Sequence, residues 1–254
     1  MVRLGQNFLA DPNLLDAIVR DAELTPEDVV LEVGAGEGVL TERLAPVAGH
    51  VHSVEIDRGL EAALAPVAAL ANVSLHWGDA IKLDLAELDP PPTAMVANLP
   101  YSVATPLILR TIEQLPSLGR WTVMVQREIA DRLRAPSGNR TYGSPSVLVQ
   151  LACEVELVRK VDPAVFRPRP RVDSGILRLR RTGPGADEAT RLLVRAAFAH
   201  RRKSLARSLE HGEAGSLARA RAALAELGLP EDARAEALSP EDFAALSAKL
   251  QARD

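Results

Sequence analysis

The chain has few of the residue types that build cross-linked or membrane-embedded proteins. Its 254 residues include one cysteine, Cys153, and only 3% aromatic side chains. A single thiol excludes a disulfide framework or a thiolate metal cluster within the chain, as is usual in the reducing cytosol. No apolar run approaches the roughly 20 residues that span a bilayer, and the first residues show no apolar signal core. These absences favour a soluble, cytoplasmic protein without a bound metal.

The net charge is also small, but the charged residues are unevenly distributed. The value of −4 argues mildly against a nucleic-acid partner, yet residues 167–181 hold six arginines and one acid, Asp173. Residues 195–207 hold five cations and no acid, namely Arg195, Arg201, Arg202, Lys203 and Arg207. Two basic segments on an acidic protein are typical of phosphate-binding surfaces, and equally of solvated faces. Composition alone leaves both interpretations open.

Strand-like and helix-like segments alternate along the first two-thirds of the chain. A short β-branched run lies at 29–33, and further strand candidates lie at 50–56, 73–76, 94–97 and 121–125. Segments with helical periodicity lie at 39–48, 59–71 and 106–114. The alternation predicts βαβ units and a mostly parallel, Rossmann-like sheet. Two further runs, 147–157 and 175–179, read as strands that form an antiparallel pair at the sheet edge.

A cluster of helix-breaking residues marks a domain boundary. Thr182-Gly183-Pro184-Gly185 interrupts the pattern, and no strand is evident beyond it. Residues 189–209, 216–226 and 239–251 read as amphipathic helices. The sequence therefore predicts an α/β domain over residues 1–181 and a small all-helical C-terminal domain over 186–254.

A glycine-rich loop follows the first of these strands. Glu32-Val33-Gly34-Ala35-Gly36-Glu37-Gly38 has the spacing G-x-G-x-G. Dinucleotide sites need G-x-G-x-x-G, and phosphate-binding P-loops need Gly-Lys-Ser/Thr; neither occurs here. The loop therefore favours a nucleoside ligand that lacks a pyrophosphate, although a plain turn would use glycines in the same way.

Two acids end the next two strands. Glu55 closes the second strand, where a carboxylate can accept hydrogen bonds from both hydroxyls of a ribose. Asp79 follows the third strand and can accept from an adenine amino group. In open α/β sheets such strand ends line the ligand crevice. With the glycine loop, this pattern resembles the class I methyltransferase fold and its S-adenosylmethionine site.

Asn98-Leu99-Pro100-Tyr101 follows the fourth strand and suits a target adenine. The amino nitrogen of adenine is a poor nucleophile because its lone pair is delocalised into the ring. An Asn side-chain oxygen and a neighbouring backbone carbonyl can accept both N–H groups and so localise that lone pair. Tyr101 offers a face on which an extruded base can stack. Phe166, set among prolines and arginines, is expected on the base's other face, unless it fills the core.

Six motifs in order give a specific family resemblance over essentially the whole chain. They are Gly5-Gln6-Asn7-Phe8-Leu9, the glycine loop, Asn98–Tyr101, Tyr142-Gly143 with Ser146-Val147, Phe166-Arg167-Pro168 with Val172-Asp173-Ser174, and Arg201-Arg202-Lys203 with Ser208-Leu209. Together they resemble the small-subunit (16S) rRNA adenine dimethyltransferases.

That resemblance implies an activity, a cofactor and a set of site residues. S-adenosylmethionine would be bound by Gln6, Asn7, Leu9, Gly34, Gly36, Glu55, Ile56, Asp79, Ala80 and Asn98. The adenine would be held by Asn98, Leu99, Pro100, Tyr101 and Phe166. Independently of the resemblance, the positive charge of the five cations of 195–207 predicts that they contact RNA phosphates. The family transfers four methyl groups, two to each of two adjacent adenines near the 3′ end of the RNA. The partner would be an immature small ribosomal subunit, and the enzyme a monomer.

Other functions remain open at this stage. The related 23S rRNA adenine methyltransferases of macrolide resistance resemble the chain through the catalytic domain, although Tyr142-Gly143 and the Arg-Arg-Lys run favour the small-subunit branch. DNA adenine and protein glutamine methyltransferases more typically carry Asn/Asp-Pro-Pro-Tyr, which Leu99 disfavours. Cytosine C5 transfer needs a Pro-Cys nucleophile, whereas Cys153 lies between Ala and Glu. A non-catalytic RNA-binding assembly factor is the alternative from another class.

Overall fold

A seven-stranded sheet organises the first part of the chain. The structure, a computed structural model, describes residues 7–200, 202–211 and 215–252. The strand order is β4-β3-β2-β5-β6-β9-β7. In chain order these strands are β2 (Val29–Val33), β3 (His50–Glu55), β4 (Val73–Trp77), β5 (Ala94–Asn98), β6 (Arg120–Gln126), β7 (Cys153–Val161) and β9 (Ser174–Arg181). Two short strands, β1 (Phe8–Leu9) and β8 (Phe166–Arg167), pair separately and antiparallel.

The central strands are parallel and buried on both faces. Val30 pairs with Val51 of β3 on one side and with Ala94 of β5 on the other. Continuous apolar runs, rather than alternating ones, suit strands that are covered on both faces. From β2 the chain winds outward through β3 and β4, and then returns to β5 on the opposite side. Ligands bind such sheets at this reversal, beyond the carboxyl ends of the strands.

Ten α-helices accompany the strands in the described ranges. They are α1 (Pro12–Asp21), α2 (Thr41–Leu44), α3 (Glu61–Ala68), α4 (Ala104–Gln114), α5 (Arg127–Leu133), α6 (Ser144–Gln150), α7 (Glu188–Phe198), α8 (Leu205–Glu210), α9 (Ser216–Glu226) and α10 (Pro240–Gln251). Not one of these helices is long and apolar enough to cross a membrane. The all-helical C-terminal part, the parallel sheet and its antiparallel strand β9 confirm the predicted fold class.

The chain divides into two compact units. One comprises the chain up to Ala130 together with Glu154–Arg181, and the other comprises Asp131–Cys153 together with the chain from Thr182 onward. The second unit also includes residues 131–153, which the sequence pattern places in the α/β domain. Tyr142 explains why: it is fully buried, its hydroxyl donates to the Leu238 carbonyl over 3.0 Å, and its ring packs against Phe198.

Two predicted elements differ from the structure. The sequence predicts one strand over residues 147–157, but α6 covers the first part and β7 begins only at Cys153. Pro145 in the first turn and the Ser146 hydroxyl, which accepts from the Gly143 amide over 3.0 Å, start a helix whose valine and leucine residues are all buried. Periodicity cannot distinguish such a short buried helix from a strand.

The predicted helix over 189–209 is interrupted. α7 ends at Phe198, and α8 begins only at Leu205. Ser204 is extended, with φ −62° and ψ 153°, and so marks the start of the second helix. The turn between the helices carries two of the cations predicted to contact RNA, Arg202 and Lys203.

Candidate active site

A cavity of about 420 Å³ opens where the strand order reverses. Its walls come from the residues after β2, the end of β3, the turn after β4 and the segment after β5. The volume falls within the roughly 300–1,000 Å³ of pockets that hold small ligands and cofactors. The position is the one that open α/β sheets use for nucleotides.

Most of the predicted site residues line this one cavity. They are Asn7, Leu9, Gly34, Gly36, Glu55, Ile56, Asp79, Ala80, Asn98, Leu99, Pro100 and Tyr101. Gln6 lies outside the described residues. Segments far apart in sequence, from Asn7 to Tyr101, therefore meet at one site, because the carboxyl ends of parallel strands share an edge of the sheet.

The glycine loop needs its glycines for backbone conformation. Gly34 and Gly36 have φ angles of +81° and +58°, a region that side chains with a Cβ rarely adopt. A Cβ on Gly34 would lie 3.6 Å from the Asn98 carbonyl oxygen and 3.5 Å from Pro100. The loop therefore packs directly against the segment predicted to hold the adenine, so two ligands bound there would be neighbours.

Glu55 is held in place by the backbone around it. Its side chain is buried, and one carboxylate oxygen accepts from the Gly36 amide over 2.8 Å. The other oxygen accepts from the amides of Ile56 and Asp57 over 2.9 and 2.8 Å. Three of the roughly four lone-pair positions of the carboxylate are therefore used, and one remains on the oxygen that is bonded to Gly36. The acid can therefore organise the glycine loop and still accept from a ribose.

The turn that carries Asp79 is fastened to helix α4 by Arg110. The Arg110 guanidinium donates to the carbonyls of Ala80 and Leu83 over 2.7 and 2.6 Å, and its Nε donates to Gln114 over 2.6 Å. Asp79 itself accepts from the Ile81 amide over 3.0 Å. Sequence motifs do not indicate Arg110, because only the fold brings it to this turn.

The Asn98–Tyr101 segment is anchored at both ends. The side-chain nitrogen of Asn98, Nδ2, donates to the Asn7 backbone carbonyl over 3.3 Å. This bond leaves the side-chain oxygen, Oδ1, as the acceptor. Leu99 is buried, and its backbone amide donates to the Met124 carbonyl over 3.1 Å. The Tyr101 hydroxyl lies 2.7 Å from the hydroxyl of buried Ser174. A rigid segment thus presents an acceptor and an aromatic ring on the same cavity wall.

The structure does not place Phe166 against a target base. The side chain is fully buried in the apolar cluster that includes Leu9, Leu15 and Ile18. Pairing of Phe166 with Leu9 in the β1–β8 sheet directs the ring into this core. The expectation of a second stacking face is corrected accordingly: in this conformation Phe166 supports the cavity wall from behind.

Glu32 is a further cavity residue, which the sequence indicates only as part of the glycine-loop motif. Its buried carboxylate accepts from the hydroxyls of Thr41, over 2.5 Å, and Ser53. The pKa of Glu32 is raised to about 7. Burial is the largest cause and the charge of Glu55 adds to it, while the hydrogen bonds from Ser53 and Thr41 partly offset both. Near neutral pH this acid is therefore partly protonated, unlike an exposed glutamate.

Glu32 should impose a pH dependence on stability. Because the folded-state pKa lies above the unfolded value of 4.5, the folded protein binds more protons and the free energy of unfolding falls as pH rises from 4.5 through 7. The full loss is on the order of 3 kcal/mol. We expect Glu32→Gln to remove this dependence, so that the variant exceeds the parent in stability at pH 8.

Denaturant unfolding at about pH 5, 6.5 and 8 measures this effect. The exposed Glu42, in the first turn of α2, provides the matched control, because Glu42→Gln removes the same charge without removing a buried carboxyl. Parallel stability profiles for the parent and Glu32→Gln would show that the buried acid does not titrate in this range.

The predicted RNA-binding cations are only partly described. Arg201 lies outside the described residues, while Arg195 on α7 and Arg207 on α8 are exposed. Arg202 and Lys203 are exposed on the turn, where the Lys203 ammonium contacts the His211 ring. The expectation that one helix carries all five is wrong because Ser204 interrupts it. Their contact with RNA stays a prediction.

The sheet and its cavity define the class of the protein. The sheet is mostly parallel, with the antiparallel strand β9 inserted, and a glycine loop and an acid lie where the strand order reverses. The protein is therefore a class I methyltransferase, an enzyme that uses S-adenosylmethionine. The family model for ribosomal RNA adenine dimethylases matches residues 2–252. The chain belongs to that family.

Relatives and solved structures agree with this membership. The chain is 47% identical over 252 residues to ribosomal RNA small subunit methyltransferase A of Rubrobacter xylanophilus, covering 98% of this chain and 94% of the relative. It is 46% identical to the protein of that name from Streptomyces griseus, over 96% and 87% of the two chains. A dimethyladenosine transferase from Plasmodium falciparum superposes with a TM-score of 0.81 at 28% identity, covering 94% and 95%.

The 23S rRNA branch is also structurally similar. The 23S rRNA methyltransferase ErmE superposes with a TM-score of 0.70 at 30% identity, covering 96% of this chain and all of that one. The two branches therefore share the fold over nearly the whole chain, and fold alone does not separate them.

Proposed function

We propose that this enzyme transfers two methyl groups from S-adenosylmethionine to the N6 atom of each of two adjacent adenines near the 3′ end of small-subunit rRNA. We further propose that it acts in the cytoplasm as a monomer, on an immature small subunit. The observation that carries the proposal is that the glycine loop and the Asn98–Tyr101 segment line one cavity, with Gly34 beside Asn98 and Pro100. The methyl donor's loop and the base-holding segment share one wall, as direct transfer between two bound ligands requires.

The residues present fit the cofactor. Glu55 supplies a carboxylate oxygen at the end of β3 for a ribose hydroxyl, and Asp79 supplies an acceptor for an adenine amino group. Ile56, with half of its surface exposed, offers an apolar face to the adenine ring. When bound, S-adenosylmethionine supplies an electrophilic methyl group on its sulfonium.

The catalytic work falls on Asn98 and its neighbours. Each transfer leaves N6 with a surplus proton, which passes to water. In the second transfer N6 carries a single hydrogen, which one acceptor holds. In the first transfer the Asn98 side-chain oxygen accepts one amino hydrogen of the target adenine, and a backbone carbonyl of the same segment accepts the other. Both bonds strengthen as positive charge develops on the nitrogen, so they stabilise the transition state more than the bound base. Tyr101 holds the base by stacking while its hydroxyl is fixed by Ser174. The chain supplies orientation and electrostatics, with no covalent intermediate.

The small-subunit substrate is favoured over the alternatives by the relatives, which carry small-subunit names over nearly the whole chain. The large-subunit alternative has the similarity to ErmE in its favour. A purely non-catalytic assembly role is disfavoured by the intact Asn98–Tyr101 segment, because binding by Tyr101 alone would not need the Asn98 acceptor beside it.

Transfer of labelled methyl groups tests the proposal. Small subunits and large subunits from a strain that lacks this methylation are incubated separately with enzyme and labelled cofactor, and the modified bases are mapped. We expect label on two adjacent adenines of the small-subunit RNA, with two methyl groups on each. Label confined to large-subunit RNA would support the 23S alternative, and binding without label would support the assembly-factor alternative.

Arg110 is expected to position the adenine side of the cofactor site. Arg110→Met removes the donors to Ala80 and Leu83 while keeping an apolar chain of similar length. We expect the Kd for S-adenosylmethionine to rise roughly tenfold, equivalent to about 1.4 kcal/mol, with little change in kcat at saturating cofactor. Arg110→Lys, which retains a charged donor, should restore part of the affinity.

Gln114→Ala serves as the matched control for this prediction. It removes the partner of the Arg110 Nε without touching the bonds to the turn, so cofactor affinity should stay unchanged. If Arg110→Met lowered kcat and thermal stability but left the KM for cofactor unaltered, the residue would be a general helix contact and not a positioning residue.

A further inference from the structure

The six arginines of 167–181 separate into two groups with different surroundings. Arg178 and Arg180, near the end of β9, are engaged in ion pairs with Glu23 at 2.8 and 2.7 Å, and Arg178 also pairs with Glu156 at 2.7 Å. Arg181 donates to backbone carbonyls, including Leu118 over 2.7 Å. These three cations serve the fold itself.

The other three arginines project into solvent. Arg167, Arg169 and Arg171 are all exposed. An ion pair joins Arg169 to Asp162 at 3.5 Å, and both of its side chains are more than 60% exposed. Such a surface pair contributes about 0–1 kcal/mol and yields readily to a better anion. We call residues 167–173 the arginine loop.

Both ends of the arginine loop are fixed at the cavity wall. Its first residue, Arg167, pairs with Phe8 in the β1–β8 sheet, and Phe8 lines the cavity. At its other end, the carbonyl of Asp173 accepts from the Arg127 amide over 2.9 Å, and the next residue, Ser174, bonds to Tyr101. The residue that follows the loop is thus hydrogen-bonded to the hydroxyl of Tyr101, on whose ring the target base is proposed to stack.

The composition of the loop suits a nucleic-acid backbone. Three arginines and Asp173 give it a net charge of +2. Pro168 and Pro170 separate the arginines and lack amide hydrogens, so they stiffen the segment without adding donors. Val172 is one of the few large apolar side chains that is markedly exposed, at 44%. Cations beside an exposed apolar group match phosphates next to an unstacked base.

We propose that the arginine loop binds the phosphates that flank the target adenines and so holds the extruded base at Tyr101. This proposal rests on the proposed function, because it takes the RNA substrate as its ligand. Guanidinium groups suit this task since they bond phosphate oxygens in a bidentate manner. The loop would position the RNA without reading its sequence.

The salt dependence of subunit binding tests the arginine loop. The variant Arg169→Gln/Arg171→Gln leaves Arg167 and the β1–β8 pairing intact. Its matched control, Arg178→Gln/Arg180→Gln, also removes two arginine charges, but these arginines lie on β9 and form ion pairs with Glu23 and Glu156. The affinity of each protein for unmethylated small subunits is measured from about 50 to 200 mM KCl, and its affinity for S-adenosylmethionine is measured separately.

For the loop variant, we expect the slope of log affinity against log salt concentration to become less negative by about 1.4. This corresponds to about 0.7 for each of the two phosphates that the variant no longer binds. Its cofactor affinity should be unchanged. The control should lose thermal stability but keep the parent slope. Equal slopes for the parent and the loop variant, or an equal fall in slope for the control, would overturn the proposal.

The proposed function fails in a distinguishable way. A parent protein that neither binds nor methylates small subunits would overturn the function, and the arginine loop's role with it. A parent that methylates normally while the loop variant keeps the parent slope would overturn the role of the loop alone.

Discussion

Asn98→Ala will lose nearly all methyl transfer while retaining most of the affinity for cofactor. The side-chain oxygen acts on charge that develops at the adenine nitrogen, and removal of one such group typically lowers the rate by about 100- to 1000-fold. The Asn98 side chain also donates to the Asn7 carbonyl over 3.3 Å, a neutral bond whose loss should affect cofactor binding only modestly. Single-turnover transfer with saturating cofactor isolates the chemical step.

Leu99 offers the control for this variant. Its side chain is buried, and only its backbone is proposed to contact the target base. Leu99→Val should therefore reduce stability slightly and leave the transfer rate within a few-fold of the parent. A near-normal single-turnover rate for Asn98→Ala would refute the role assigned to the amide.

Glu55→Ala should abolish measurable cofactor binding. The carboxylate has one acceptor position left for a ribose hydroxyl, and loss of that charge-assisted bond, worth roughly 1.5–3 kcal/mol, should lower the affinity at least tenfold. The structure adds a second cause. The same oxygens accept from Gly36, Ile56 and Asp57, so the glycine loop loses its anchor together with the ribose.

Two measurements separate these causes. Glu55→Gln keeps an oxygen that can accept backbone amides but removes the charge, and it should bind cofactor with intermediate affinity. Calorimetric titration gives the affinities, and circular dichroism checks the fold. An unchanged affinity in a normally folded Glu55→Ala protein would contradict the placement of the ribose at this acid.

Local pattern is sufficient to predict the parallel sheet and the residues at its carboxyl edge. Strands β2 to β6 are short and alternate with helix-like segments, and the fold rule for open sheets then places Gly34, Glu55 and Asn98 together. The structure brings these three to one cavity. Prediction succeeds here because the spacing of the motifs already encodes which strand ends they occupy.

Prediction fails where long-range packing decides the outcome. The 147–149 run, Val-Leu-Val, reads equally as strand or helix, and only its capping residues and its burial in the second unit settle it as α6. The sequence neighbours of Phe166 suggest a place at the base, whereas its pairing with Leu9 turns it into the core. Arg110 carries no motif at all, since its partners lie 27 and 30 residues away.

The contact between Asn7 and Asn98 has a thermodynamic consequence. Asn7 lines the wall of the cavity, and its carbonyl accepts from the side-chain amide of Asn98, which we propose faces the target base. A cofactor that shifts Asn7 therefore changes the state of Asn98, and the two ligands acquire a coupling free energy. By linkage the coupling is reciprocal: the factor by which cofactor alters the affinity for RNA equals the factor by which RNA alters the affinity for cofactor. The demethylated cofactor can have a different coupling factor with RNA. The hydrogen bond between Asn7 and Asn98 can therefore determine whether the methylated or the demethylated cofactor dissociates more readily while RNA stays bound.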